Sequence, residues 1–287
     1  IWNYLTSMTD IPQESLSHLE IKDTFKSWVL PDKISLPITR IAAFTFLNFF
    51  FIVILYMNFE NELISGVFIK RYKRFFADIE VKNNVITAHC PNTGSMMGLL
   101  KAGNKVWVTK TNNMDRKLKY TLQIIEVNGK KVGVNTHLTN KIFHEALVSG
   151  KILNISKHDK IIKEKKYNDK TRFDFFVEKK NQLTFIEVKN VTLSREKNIA
   201  EFPDAVTERG TKHLKELIDA NKKGFNSILA FVIQREDCKK FKIAADIDPQ
   251  YKKLLTFALE NKLKVICYDC KFLSKGIVIN NKINFIK

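Results

Sequence analysis

Two short stretches, Thr171-Arg172-Phe173-Asp174-Phe175 and Phe185-Ile186-Glu187-Val188-Lys189, read as the paired strands of one hairpin. The second alternates, so Glu187 and Lys189 face one way while Ile186 and Val188 face the other. Between the two lies a polar turn, Glu178-Lys179-Lys180-Asn181-Gln182-Leu183. If the chain reverses tightly at Lys180-Asn181, Lys179 pairs with Gln182, and counting back along the hairpin sets Asp174 opposite Glu187. Their Cβ atoms would then lie roughly 5 Å apart on one face. Two carboxylates that close repel each other unless something neutralises them. A divalent cation does so, and Mg²⁺ is commonly held by one or two carboxylates. The spacing makes Asp174 and Glu187 candidate ligands for Mg²⁺ or Mn²⁺. Lys189 is then placed to stabilise charge developing on a phosphate. A surface hairpin carrying a cross-strand ion pair would show the same spacing. Glu164, in Lys163-Glu164-Lys165-Lys166, is a further catalytic candidate from a preceding helix or strand; among lysines it also reads as a solvated charge.

Outward from this hairpin the chain divides in three. After residue 140, Lys141–Leu147, Asp204–Ala220 and Pro249–Asn261 read as helices. Ser227–Gln234 reads as a buried strand, and Leu263–Tyr268 as a closing one. Strands alternating with helices indicate an α/β layer over 141–287. Residues 57–140 read differently, as short strands at Phe76–Val81, Val85–Ala88, Lys105–Thr109, Tyr120–Val127 and Lys131–Asn135. Asn83-Asn84, Gly103-Asn104 and Asn128-Gly129 punctuate them. Five such strands suggest a small OB-like barrel, a fold that often binds nucleic-acid strands. Residues 1–56 match neither part. Ile41–Met57 is an almost wholly apolar run of 17 residues, at the lower limit for a membrane span. The alternative is upstream sequence translated in frame ahead of Met57, which the opening Ile favours.

The 287 residues carry a formal charge of +18. Such an excess favours a polyanionic partner, nucleic acid first and an anionic membrane surface second. Lys-heavy usage is also what an AT-rich genome produces. The first 56 residues have four basic and five acidic side chains, so the positive charge belongs wholly to the later part. Candidate phosphate or base contacts are Arg71, Lys73 and Arg74, interleaved with aromatics. To these we add the polar loop residues Asn92, Thr93 and Ser95, with Arg172, Arg209, Lys212 and His213. Gly210 within the last group is costly in a helix and implies a close approach by something. Four cysteines are too few for a disulfide scaffold and suggest a reducing compartment. Cys267 and Cys270 lack the further ligands a zinc site needs and read as structural.

Six of these stretches, Arg71–Asp78, Cys90–Met96, Thr171–Phe175, Glu187–Leu193, Phe202–Gly210 and Phe231–Arg235, resemble the sugar fermentation stimulation protein A (SfsA) family. Phe202-Pro203-Asp204-Ala205-Val206-Thr207-Glu208-Arg209-Gly210 is the most specific of them. The resemblance runs from about residue 60 to the end. It implies an α+β chain: an N-terminal OB-fold joined to a PD-(D/E)xK nuclease-like α/β domain, in a DNA-binding protein. On that pattern Asp174 is the first acidic position, Glu187-x-Lys189 the second element, and Glu164 the preceding glutamate. The family begins near Met57, which strengthens the upstream-translation reading of residues 1–56. The sequence-based expectation is a cytoplasmic, Mg²⁺- or Mn²⁺-dependent phosphodiester hydrolase acting on DNA. It needs no small-molecule cofactor or membrane and is compatible with a homodimer. The alternative is a non-catalytic DNA-binding regulator of sugar (maltose-type) metabolism genes that retains the nuclease fold. No residue in these motifs reads as a sugar site.

Overall fold

A computed structural model describes residues 58–154, 156 and 159–286. The leader 1–56 and the apolar run 41–57 lie outside the described residues. Six strands form the first layer: β1 (Leu63–Tyr72), β2 (Phe76–Val81), β3 (Asn84–His89), β4 (Lys105–Lys110), β5 (Tyr120–Val127) and β6 (Lys130–Gly133). Their order is β3-β2-β1-β4-β5-β6, and β3 also pairs with β5. That last pairing, Ala88 with Tyr120 and His89 with Thr121, closes the sheet into the OB barrel. Its core is Phe68, Ile79, Met96, Leu99, Val106, Val108, Leu122 and Ile125 among others. Lys73-Arg74, Lys82-Asn83 and Asn128-Gly129 take positive φ at both residues, the turn geometry whose twist matches a tight hairpin. The sequence pattern predicted five strands. It missed β1, where Gly66 and the basic Lys70-Arg71 interrupt the apolar signal.

A 3₁₀ turn (Thr136–Leu138) and helix α1 (Thr139–Val148) lead into the second layer. There β7 (Lys160–Asn168), β8 (Thr171–Lys179) and β9 (Gln182–Val191) form an antiparallel meander. A short hairpin follows, β10 (Leu193–Glu196) and β11 (Ile199–Phe202). Then come α2 (Glu208–Lys222), β12 (Asn226–Ile233), β13 (Lys240–Ile243), α3 (Pro249–Glu260), β14 (Lys264–Phe272), β15 (Ile277–Lys282) and β16 (Asn284–Ile286). The main sheet runs β15-β14-β12-β9-β8-β7, with β9, β12 and β14 parallel. Strands β10, β11, β13 and β16 form a small separate sheet.

The central strand β12 is apolar on both faces because both are covered. Ile228, Ala230 and Val232 pack in the cluster containing Ile142, Phe143 and Leu147 of α1. Leu229, Phe231 and Ile233 pack in the cluster containing Leu214 and Leu217 of α2 and Leu255 of α3. Cys267 and Cys270, three apart on β14, fall into these two opposite clusters and are free and buried. They do not converge as a ligand pair.

The helix expected at Asp204 begins later, at Glu208, because Thr207 is its cap and accepts a hydrogen bond from Gly210 N–H. Pro203 and Asp204 belong to the preceding loop. The helix expected from Lys141 starts at Thr139, and β14 is followed by two further strands rather than closing the chain. The barrel and the α/β layer are joined through backbone: Val132 of β6 bridges Arg235, and Gly133 N–H donates to Gln234 O at 2.9 Å. Both lie in one compact unit, Leu55–Lys287. No helix among the described residues is long and apolar enough to cross a membrane.

Gly210 shows what the close approach is. A Cβ there would stand 2.7 Å from Thr207 Oγ1 and 3.1 Å from Tyr251 Cε2. Alanine is favoured over glycine by about 1 kcal/mol in an open helix. Gly210→Ala should instead lower the denaturation midpoint, because it displaces the α2 cap from a buried corner; urea unfolding checks this.

Candidate active site

The hairpin of β8 and β9 closes as its sequence implies. Lys180 and Asn181 form the turn with positive φ, and Lys179 pairs with Gln182. The ladder then runs back to Phe175 with Ile186 and stops. The next rung would have been Asp174 with Glu187, so the expected direct ladder pair is not made. The Asp174 carboxylate takes up the vacant backbone group instead: Val188 N–H donates to its Oδ2 at 2.8 Å. Side-chain alternation slips at the same point. Phe173 packs on the α2 side of the sheet, while Phe175, two residues on, packs on the α1 side. On the neighbouring strand β7, Glu164 lies between the pairs Lys163–Phe175 and Lys165–Phe173 and has a φ of +52°. A local break of this kind re-aims a side chain out of the regular pleat. Here it frees the Asp174 carboxylate to reach both β9 and α1, where Asn140 Nδ2 donates to its Oδ1 at 2.7 Å.

Glu187 lies on the α2 face of β9 and is only 3% exposed. Its Oε1 accepts from Lys189 Nζ at 2.7 Å and is bonded to Nδ1 of buried His213 on α2. Its other oxygen, Oε2, is buried with no partner. Burial opposes ionisation of Glu187, but the hydrogen bond from His213 and the charge of Lys189 outweigh it. They hold the carboxyl below its usual range. Asp174 goes the other way. Burial first, and the neighbouring Glu187 charge second, push its pKa up to about 6. Environments that drive two nearby carboxyls apart in pKa are typical of functional sites.

An ionised carboxylate accepts at about four lone-pair positions, so the bonds from Asn140 and Val188 leave Asp174 with acceptor capacity to spare. The Glu187 orphan leaves a buried acceptor whose desolvation costs about 1–3 kcal/mol if it stays unmet. Both are hard oxygen donors of the kind that Mg²⁺, Mn²⁺ and Ca²⁺ take. The residues present therefore fit a divalent cation. Among the described residues no group of three or more His, Cys, Asp or Glu side chains converges on one point. Glu164 is exposed and is not drawn into the pair.

The other sequence-picked residues are spread over several structures. Arg71 is committed to the barrel: its guanidinium donates to the carbonyls of Arg74, Asn92 and Gly94. Lys73 and Arg74 stand exposed at the β1–β2 turn. Asn92 is buried, accepts from Gly94 N–H and donates to Val134 O. Thr93 is exposed. Ser95 Oγ donates to Asp204 O at 2.8 Å. Gly94 packs so tightly on the Asp204 carboxylate that any Cβ there would collide with it. Two of the family-like stretches, Cys90–Met96 and Phe202–Gly210, thus meet at the junction of barrel and α/β layer. They line a pocket of about 160 Å³ together with Asn190 and Thr192. Arg172 and Arg209 are exposed, and Lys212 Nζ donates to Lys170 O. His213, expected among the DNA contacts, is buried against Glu187 instead. Asn140 was missed altogether, because an Asn at the start of a helix looks in sequence like a cap.

Asp174→Asn should stabilise the cation-free protein. The folded-state pKa of about 6 lies above the ordinary 3.8. The folded form therefore binds protons more readily across that window, and Asp174 lowers stability as pH rises through it. About two pK units correspond to at most ~3 kcal/mol. The variant should exceed the parent at pH near 7.5 in EDTA, with the gap closing towards pH 4. Chemical denaturation across pH checks this; a gap constant with pH would refute the assignment.

Two family profiles match the chain: "Sugar fermentation stimulation protein RE domain" over residues 137–276, and "SfsA N-terminal OB domain" over residues 69–134. A sugar fermentation stimulation protein homolog from Pelagibacter ubique is 52% identical over 230 residues, covering 80% of this chain and 99% of that one. A homolog from Paramagnetospirillum magneticum is 42% identical over 223 residues, covering 77% and 94%. Among solved structures, Pyrococcus furiosus SfsA in complex with Ca²⁺ superposes with a TM-score of 0.73 at 26% identity, covering 81% of this chain and 99% of that one.

Proposed function

The chain belongs to the sugar fermentation stimulation protein family, and on that footing we propose that it is a divalent-cation-dependent phosphodiester hydrolase acting on DNA. The observation that carries the reading is the pair of buried carboxylates, Asp174 and Glu187, with Glu187 Oε2 unmet and a lysine beside it. A solved relative described in complex with Ca²⁺ supports binding of a hard divalent cation; its placement at this pair and Mg²⁺ or Mn²⁺ as the working ion are part of the proposal.

Asp174 and Glu187 would hold the cation. When bound, it supplies positive charge beside the scissile phosphate and acidifies water there. The chain's own groups do the rest. Val188 N–H and Asn140 fix the orientation of the Asp174 carboxylate, and His213 fixes that of Glu187. Lys189 spends one of its three donors on Glu187. The other two can meet a phosphate oxygen and stabilise the charge that grows on it in the transition state. Exposed Lys73, Arg74, Arg172 and Arg209 supply phosphate contacts that position the strand without reading sequence. The proposed setting is cytoplasmic.

Mg²⁺ or Mn²⁺ should raise the melting temperature of the parent protein and not that of Asp174→Asn; at a hundredfold excess over Kd the gain is about 2.7 kcal/mol. With either cation the parent should cleave DNA. Asp174→Asn and Glu187→Gln should abolish cleavage, and Lys189→Ala should slow it roughly 100- to 1000-fold. Intact DNA under these conditions, or cleavage that survives both carboxylate variants, would leave the non-catalytic DNA-binding regulator as the better reading.

A further inference from the structure

Outside the carboxylate pair, one side of the barrel gathers an arginine, two imidazoles and an exposed ring. Phe75 is 41% exposed, yet its backbone is pinned on both sides: its N–H donates to Lys73 O, and its carbonyl accepts from Cys90 N–H at 2.8 Å. Its ring faces that of His89 at a tilt of 27°, with centroids 6.3 Å apart. His89 pairs in the sheet with Thr121, whose Oγ1 accepts from the Arg116 guanidinium at 3.1 Å. Pro91, two residues after His89, is tied to Thr136 through two bonds at its carbonyl. His137 follows Thr136 and is exposed. Burial first, and then the neighbouring Arg116 and His137, lower the pKa of His89 and favour its neutral form. Among the described residues Arg116 has no ion-pair partner and bonds only to Thr121 Oγ1. Three residues past His137 stands Asn140, bonded to Asp174. A surface track made of a flat ring, two imidazoles and one arginine therefore lies on this side of the barrel, and the chain that leaves it carries Asn140.

We propose that this track binds a single-stranded polynucleotide. Its phosphates would lie along Arg116 and His137, and a base would stack on Phe75 and His89. The direction of the strand, towards Asp174 and Glu187, rests on the hydrolase reading; the binding itself does not. A duplex hides its base faces by stacking them on one another, so a fixed, exposed ring beside a phosphate-binding arginine has a matching partner only in an unstacked base. A row of lysines alone would suit either form. The ring distinguishes them.

The test is anisotropy of labelled oligo-dT, oligo-rU and a duplex, each of about fifteen nucleotides, near the span of one such barrel. The full chain is used, in EDTA so that no strand is consumed. One or both single strands should bind more tightly than the duplex, and the dT and rU arms assign the sugar. Phe75→Ala should weaken single-strand binding roughly 5- to 150-fold, as loss of one stacked base does, with unchanged salt dependence. Phe75→Trp should retain binding. Arg116→Gln should instead flatten the log–log salt slope by about 0.7, as loss of one single-strand phosphate contact does. If Phe75→Ala melts early, Phe75→Leu replaces it, keeping apolar bulk without the flat face. Tighter duplex binding, or Phe75 variants that bind like the parent, overturns the proposal. Duplex cleavage indifferent to Phe75 would sink this inference and leave the hydrolase standing. Ring-dependent binding without any hydrolysis would do the reverse.

Discussion

A carboxylate in the middle of a sheet governs this molecule. Glu187 sits on β9 between β8 and β12, nearly sealed from water, and its charge must be met inside the protein. Leaving one such group unpaired typically costs 3–5 kcal/mol. Lys189 meets it from two residues along the same strand, and His213 meets it from across the α2 interface. That requirement explains the local design. His213 is buried because Glu187 needs it. The first turn of α2 is fixed by the Thr207 cap, and Gly210 lets that turn settle against Tyr251. One of the two carboxylate oxygens is still left over.

The second carboxylate is brought in by breaking a rule. A continuous β8–β9 ladder would have placed Asp174 and Glu187 as ordinary cross-strand neighbours. The ladder ends one rung earlier, the pleat slips between Phe173 and Phe175, and Glu164 takes a left-handed conformation opposite the break. Backbone pairing is given up at one rung and replaced by a side-chain bond to Val188 N–H. The repulsion that remains appears as the raised pKa of Asp174. Ladder bonds given up and like charge tolerated at one place leave two carboxylates there with acceptor capacity to spare.

The barrel is not an independent appendage. Its loop at Gly94–Met96 grips Asp204, its last strand pairs with the Gln234–Glu236 segment, and the 3₁₀ turn leaving it leads to Asn140, which bonds to Asp174. A surface on the barrel and the carboxylates of the α/β layer are thus joined through a few residues.

Much of this could be read in the sequence. Turn chemistry at Asn128-Gly129 and Lys180-Asn181 fixed two hairpins, and period-two alternation set Glu187 and Lys189 on one face. The unbroken apolar run Ile228–Ile233 marked a strand covered on both sides. These are local signals, set by backbone sterics and by which faces are wet. Strands β1 and β7 escaped because charged residues on their exposed faces mask the alternation. The start of α2 was misplaced because Pro203 and Asp204 imitate a cap that Thr207 provides. The roles of His213, Asn140 and Arg71 were set by residues 26, 34 and 21–23 positions away, distances at which no periodicity connects them. By itself the sequence determined that two acids and a lysine would share one hairpin. Only the tertiary structure decided that the pair would be dry, unequal in pKa and one donor short, because burial and long-range partners, not spacing, set the energy of a charge.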